Sequence, residues 1–217
     1  KKNAASIKKK IKLFLKYDLN KYSGRDINFV ENKNKKYLNS FHKMDDLNWV
    51  KKFASKKEFK KKITYFFVGD PELRASELFA KPKNFGLKAP IHQDNFYWNV
   101  KKNKGLTVWI SLSNSDNTNG GVFYFNGSHK YGILKHKPSF SKGSSQTIKD
   151  LKFLKKFKKK TPKLKIGDML IHHCLVVHGS KDNTSNNQRL GWTFQFKDRS
   201  TPYDMKKIKK YEMSLKK

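Results

Sequence analysis

The chain has 217 residues, and its 50 Lys and Arg against 17 Asp and Glu give a formal net charge of +33. Hydrophobic residues are 36% and aromatics 14%, enough for a real core and against wholesale disorder. No stretch approaches the roughly 20 apolar residues of a membrane span, the basic N-terminus lacks the h-region and cleavage site of a signal peptide, and the single cysteine, Cys174, excludes an internal disulfide and a thiolate metal cage. These features predict one domain over residues 1–217, in the cytoplasm. The charge invites a polyanion partner, since Lys and Arg neutralise phosphates. Yet only Arg25, Arg74, Arg189 and Arg199 are arginines, and nucleic-acid surfaces lean on the arginine fork. Lysines spread over every exposed face read as a solvated surface, so no specific nucleic acid is expected.

Residues 1–70 read as a helical N-terminal part. DDLNWVKKFASKKEFKKKITYFF begins with an Asp suited to an N-cap and carries Leu47, Val50, Phe53 and Phe59 near helical spacing. From about residue 75 the pattern changes to short apolar or alternating runs bounded by Gly, Asn, Asp and Pro. SELFAKP, APIHQDNFYW, GLTVWISLS, GGVFYFNGS, KLKIGDMLIHH, LVVHGS and RLGWTFQF predict a mainly β core over 75–200, a sandwich or barrel. Residues 135–163 interrupt it as a lysine-rich insertion or lid, with a helical turn around Leu151 to Phe157. The segment 203–217 reads as a short basic helix, with Met205, Ile208 and Leu215 on one side.

HQD at 92–94 is the informative triplet. In an extended strand, residues i and i+2 project to one face, so His92 and Asp94 converge with Gln93 opposite. An imidazole and a carboxylate so placed are two of the three ligands of a 2-His-1-carboxylate site with open coordination positions. For the triplet alone, a structural histidine bonded to a nearby Asp is the more frequent explanation. VVHGS then sets His178 at the end of an apolar strand, with Ser180 on the same face. A polar loop and the strand RLGWTFQF follow, predicting a hairpin-like unit that brings Arg189 near His178. In that strand Arg189, Thr193 and Gln195 share one face, and Leu190, Trp192, Phe194 and Phe196 the other. A lone guanidinium on the polar face suits a carboxylate ligand; the competing reading is a surface salt bridge.

ELFAKPKNFGLKAPIHQDNFYW, GLTVWISLSNSDNTNGGVFYFNGSHKYG, IGDMLIHHCLVVHGS and the Arg eleven residues after His178 together resemble the phytanoyl-CoA dioxygenase family of Fe(II)/2-oxoglutarate-dependent oxygenases. The resemblance covers about 75–200 well and the N-terminal part loosely. It implies a double-stranded β-helix (jelly-roll, cupin-like) core with flanking helices. It implies His92, Asp94 and His178 as iron ligands, with Arg189 and Ser180 gripping the distal carboxylate of 2-oxoglutarate. Beside it, GLTVWISLS alternates Leu106, Val108, Ile110 and Leu112 against Thr107, Trp109, Ser111 and Ser113, so the second face can line the cofactor cavity with Trp109 as a wall. Trp98 shares the parity of His92 and Asp94 and is a candidate substrate wall. Lys81 on the preceding strand can reach the other end of the cosubstrate, with a solvated lysine as the competing reading. His129, His172 and His173 read as structural or supporting, with His173 the first choice to orient a ligand.

The implied chemistry consumes 2-oxoglutarate and O2 and hydroxylates a small molecule, an anionic one being compatible with the lysines. Related halogenases lack the carboxylate ligand, so Asp94 favours hydroxylation. Two rivals stay open: a 2-oxoglutarate oxygenase acting on nucleic acid, and a non-catalytic jelly-roll binding module. Substrate identity and oligomeric state are not legible.

Overall fold

The computed structural model describes residues 2–141 and 144–214. In chain order these form α1 (Lys2–Tyr17), β1 (Ile27–Asn32), β2 (Lys35–Phe41), α2 (Asn48–Ala54), α3 (Lys57–Thr64), β3 (Pro71–Lys81), β4 (Ala89–His92) and α4 (Asp94–Trp98). There follow β5 (Gly105–Ser111), β6 (Val122–Phe125), β7 (His136–Ser141), β8 (Ser144–Ile148), β9 (Lys159–Lys160), β10 (Met169–His173), β11 (His178–Ser180), β12 (Arg189–Asp198) and α5 (Met205–Ser214). The strands make a six-stranded sheet, β1-β2-β3-β12-β5-β10, and a four-stranded sheet, β4-β11-β6-β9, both antiparallel. The architecture is a mainly β, cupin-like jelly roll with flanking helices. No described helix is long and apolar enough to cross a membrane.

The main core lies between the helices and the outer face of the larger sheet. Leu190, Trp192, Phe194 and Phe196 of β12 point there, against Val50 and Phe53 of α2 and Phe59 and Ile63 of α3. Val108 and Ile110 of β5 join them, while α1 adds Ile11 and Phe14. The polar faces of β12 and β5 turn the other way, into a cavity shared with the smaller sheet. Trp192 carries a polar atom into the core and keeps it satisfied: its Nε1 donates to Ser76 Oγ at 2.8 Å, and that hydroxyl donates to Thr193 O.

Three expectations change. The N-terminal part is not helical throughout, because β1 and β2 form a hairpin that extends the larger sheet. Its two-residue turn is Lys33–Asn34, both at positive φ. Primed turns favour Gly, Asn and Asp, so a Lys in that turn hides the hairpin. The long helix starting at an Asp is two short helices, and neither Asp45 nor Asp46 caps α2, whose N-cap is Leu47. Asp45 instead accepts the Ser76 backbone N–H at 2.9 Å, tying the helical layer to β3. Within 135–163 the chain forms the β7–β8 hairpin and a 3-10 turn at Lys152–Lys156. In the C-terminal segment the helix is Met205–Ser214, and Leu215 lies outside the described residues.

Phe194 has no exposed surface and packs against Phe53, Phe59 and Trp192, with centroids 5.4, 5.1 and 4.3 Å away. Phe194→Ala leaves a cavity among rings that cannot close around it. We expect a loss of about 3–5 kcal/mol in chemical denaturation, with an unchanged denaturant slope.

Candidate metal centre

β4 and β11 are antiparallel neighbours, and His92 stands directly opposite His178 in their register. The rings lie 4.3 Å apart. Each is fixed the same way: His92 Nδ1 donates to Pro90 O at 2.7 Å and His178 Nδ1 to Val176 O at 2.9 Å. A carbonyl only accepts, so the hydrogen sits on Nδ1 and each Nε2 keeps its lone pair. Both Nε2 atoms face Asp94 Oδ1, at 3.7 and 3.6 Å. One ligand atom from each of the three residues lies within 4.8 Å of the others, the spacing of donors around a single ion.

The HQD triplet is not one strand. His92 ends β4, Gln93 is extended (φ −122°, ψ 133°), and Asp94 opens α4. The extended Gln93 preserves the i, i+2 convergence, while its own side chain points away and donates to Gly132 O and Leu175 O. The helical start also changes the reason Trp98 sits nearby: it lies one turn beyond Asp94, at i+4. Trp98 borders the cavity but packs mainly with Val100, Cys174 and Leu175.

Asp94 is held from behind. Its Oδ2 accepts from Thr107 Oγ1 at 2.6 Å and from His172 Nε2 at 3.1 Å. His172 Nδ1 meets the Tyr124 hydroxyl at 3.3 Å, and the Tyr124 ring stacks on His178. Burial disfavours the charged form of Asp94, yet the neighbouring His178 and the hydrogen bond from His172 hold its carboxyl well below the usual range. Burial pushes His178 down to about 3, further than the Asp94 charge restores. An ionised carboxylate beside the neutral imidazole of His178 is the protonation pattern a divalent cation needs. The supporting histidine is thus His172, not His173, whose Nδ1 accepts the Leu175 N–H and whose ring faces His129. The choice is set by cross-strand register, which pairs His172 with Thr107.

Arg189 borders the same cavity with only 2% of its surface exposed. It does not arrive by a hairpin. β11 belongs to the smaller sheet and β12 to the larger, so residues 181–188 cross between sheets. The guanidinium lies 4.9 Å over the Trp109 ring and donates through Nη2 to Gly120 O at 3.3 Å; Nε and Nη1 have no partner among the described residues. Burial lowers its pKa to about 9. Gly191 makes room for this stack, since a Cβ there would fall 1.8 Å from Trp109 Cζ2. Lys81 is opposite Arg189 in register, so it sits at the same end of the cavity and not the far one. Burial, then the Arg189 charge, lower its pKa to about 6, and its Nζ donates to Lys181 O. Ser180 is buried beside them and accepts the Ala89 N–H at 3.3 Å. Tyr211 of α5 also borders the cavity; its hydroxyl is 2.6 Å from Ser145 Oγ and its ring lies against Phe96 and Tyr97. His172, Tyr124 and Tyr211 are among the cavity residues that motif spacing does not mark.

The sequence profile of the family described as phytanoyl-CoA dioxygenase (PhyH) matches residues 2–191. Among curated proteins, phytanoyl-CoA dioxygenase domain-containing protein 1 of Bos taurus is 29% identical over 57% of this chain and 44% of its own length. The peroxisomal phytanoyl-CoA dioxygenase of Bos taurus is 26% identical over 58% of this chain and 39% of its own. The chain therefore spans less than half the length of these relatives. EctD from S. alaskensis, solved with 2-oxoglutarate and 5-hydroxyectoine, superposes with a TM-score of 0.74 at 18% identity, over 93% of this chain and 70% of that one. SnoN, a non-heme alpha ketoglutarate dependent epimerase from nogalamycin biosynthesis, gives 0.71 at 15% identity, over 92% and 74%. At these identities the likeness is one of fold.

His92→Ala, Asp94→Ala and His178→Ala should each remove most of the affinity for Co(II), measured by anaerobic calorimetry. His172→Ala should keep the site but weaken it about 10–100-fold, the usual effect of losing a group that orients a ligand. Stoichiometric, tight Co(II) in all three ligand variants would refute the centre.

Proposed function

The chain belongs to the phytanoyl-CoA dioxygenase family, and from that membership and the cavity we propose that it is an Fe(II)- and 2-oxoglutarate-dependent dioxygenase hydroxylating a small molecule. The observation that carries the reading is Arg189: a buried guanidinium with two unpartnered N–H-bearing atoms, in the same cavity as two histidines and a carboxylate. Unsatisfied buried donors are rare and costly, and a carboxylate answers both. Lys81 and Ser180 add further donors at that end. The donor set of two imidazoles and one carboxylate, with positions left open, suits Fe(II). The groups present thus fit both the metal and the cosubstrate.

When bound, the iron and 2-oxoglutarate supply the oxidising power, with O2 and a substrate C–H giving the hydroxylated product, succinate and CO2. The protein's part is positioning and exclusion of water. His92, Asp94 and His178 would hold the metal, and the hydrogen bonds behind Asp94 direct one oxygen forward. Arg189 would fix the far carboxylate, with Trp109 stacked flat on it. Phe79 and Trp109 line that end and keep it dry. We read the N-terminal helices, the jelly roll and α5 as one catalytic unit, because helices and larger sheet share a core and Tyr211 of α5 lines the cavity.

Two measurements separate the roles. Arg189→Ala should retain metal but weaken 2-oxoglutarate binding by about 2–5 kcal/mol, as for one partner lost from a buried charge pair. That is roughly thirtyfold to several thousandfold, against ~1 kcal/mol for Ser180→Ala. With Lys81 lowered to about 6, it is largely neutral at about pH 8; a dicarboxylate beside it favours the ammonium, so binding should take up a proton. Calorimetry in two buffers of different ionisation enthalpy reads the uptake, which Lys81→Met should abolish. Unchanged 2-oxoglutarate affinity in Arg189→Ala would overturn the assignment.

A further inference from the structure

Three of the four arginines, Arg25, Arg74 and Arg189, border this one cavity in a chain whose cations are otherwise lysine. Arg189 is accounted for by the reading above; Arg74 is not. It reaches the cavity through a β-bulge. Along β3, Lys81, Phe79 and Glu77 face the cavity while Leu78 and Ser76 are buried on the other side. Strict alternation would send Arg74 with that buried set. The β3–β12 register instead shifts: Gln195 pairs Ala75 and Phe196 pairs Leu73, leaving Arg74 as the extra residue. Leu73 takes over on the core side, and Arg74 joins the cavity wall. Bulges re-aim side chains in this way near functional sites.

Arg74 also lacks what a structural arginine has. Among the described residues no carboxylate lies within salt-bridge distance of it. Its Nη1 donates to Gln195 Oε1, and its Nε is buried without a partner. The neighbouring carboxylate, Glu77, is already engaged, by His42 Nδ1 at 2.8 Å and Gln195 Nε2 at 2.7 Å. Five buried side-chain nitrogens among the described residues have no hydrogen-bond partner, and four belong to Arg74, Trp109 and Arg189. All four are obligate donors on residues of this cavity. The cavity therefore calls for acceptor oxygens at two places, the Arg189 end and Arg74. Arg74 lies 5.1 Å over the Trp98 ring, one helical turn from Asp94, so it flanks the metal ligands.

We propose that Arg74 anchors the primary substrate through a carboxylate, and that the cavity selects a small, polar carboxylic acid over a long acyl chain. This rests on assigning the Arg189 end to 2-oxoglutarate. The cavity of about 570 Å³ is the size of a small-ligand site. Its wall on this side is Asn28, Ser40, His42, Glu77, Thr193 and Gln195, a hydrogen-bonded polar surface that an alkyl chain would cover without replacing its contact with water. Gln195 sets the polarity of the subsite, with its carbonyl toward Arg74 and its amide toward Glu77.

The test uses the full chain loaded with Zn(II) and saturated with 2-oxoglutarate, without turnover. Propionate, lactate and alanine are titrated by ligand-observed NMR against propionamide, lactamide and alaninamide, pairs differing only in the carboxylate. The parent should prefer each acid, and Arg74→Gln should erase the preference, a loss of about tenfold or more for an unmade charge-assisted pair. Zn(II) and 2-oxoglutarate affinities should not change. If Arg74→Gln loses those too, Arg74→Lys carries the test: charge without the fork should give an intermediate preference. No acid preference in the parent, or an equal one in Arg74→Gln or Arg74→Lys, overturns the proposal. If 2-oxoglutarate fails to bind the parent while the Arg74-dependent preference persists, the functional reading falls and the anchor stands.

Discussion

The alternation of side chains along β12 is the constraint on which the rest of the molecule depends. The strand lies between β3 and β5 and is buried along its whole length. Its apolar residues must face the helices, because only that side offers Phe53 and Phe59 to pack against. Pleating then forces Arg189, Thr193 and Gln195 to the opposite side. A guanidinium so placed is buried, and among the described residues two of its nitrogens have no hydrogen-bond partner. Core packing thus creates the electrostatic demand that defines the cavity.

That demand is matched across the gap by the smaller sheet. β4 and β11 deliver their histidines by direct pairing, so the separation of the two Nε2 atoms is set by the sheet spacing and two backbone carbonyls. The third member of the cluster, Asp94, comes from a helix start and is braced by Thr107 and His172. The polar groups that hold these three side chains belong to the main chain or to strands of the opposing sheet. The site inherits the rigidity of the sandwich.

Much of this was legible in the sequence, for a physical reason. His92, Asp94, His178 and Arg189 are recognisable because their spacings follow from one extended residue and from strand parity, both local properties. The two faces of RLGWTFQF were readable on the same ground. What failed depends on register and topology. Nothing local tells that residues 181–188 cross between sheets and do not fold back as a hairpin. His172 and His173 are adjacent, and only the pairing of β10 with β5 decides which meets Asp94. The β1–β2 hairpin was hidden by a lysine in its turn. The bulge at Arg74 leaves no mark in the sequence, because a bulge is a relation between two strands.

The position of β12 has a consequence for how the chain acquires its structure. β3 and β5 flank it, yet both precede it by many residues, so the middle of the larger sheet is the last of its strands to be made. Until residues 189–198 arrive, β3 and β5 each present an unpaired edge, the state in which strands pair with the wrong chain. Closing such long-range pairs is slow compared with forming helices or hairpins. A net charge of +33 gives every copy a strong mutual repulsion during that interval. The dispersed lysines, which contribute little to the finished cavity, then act on the half-assembled sheet by keeping its open edges apart.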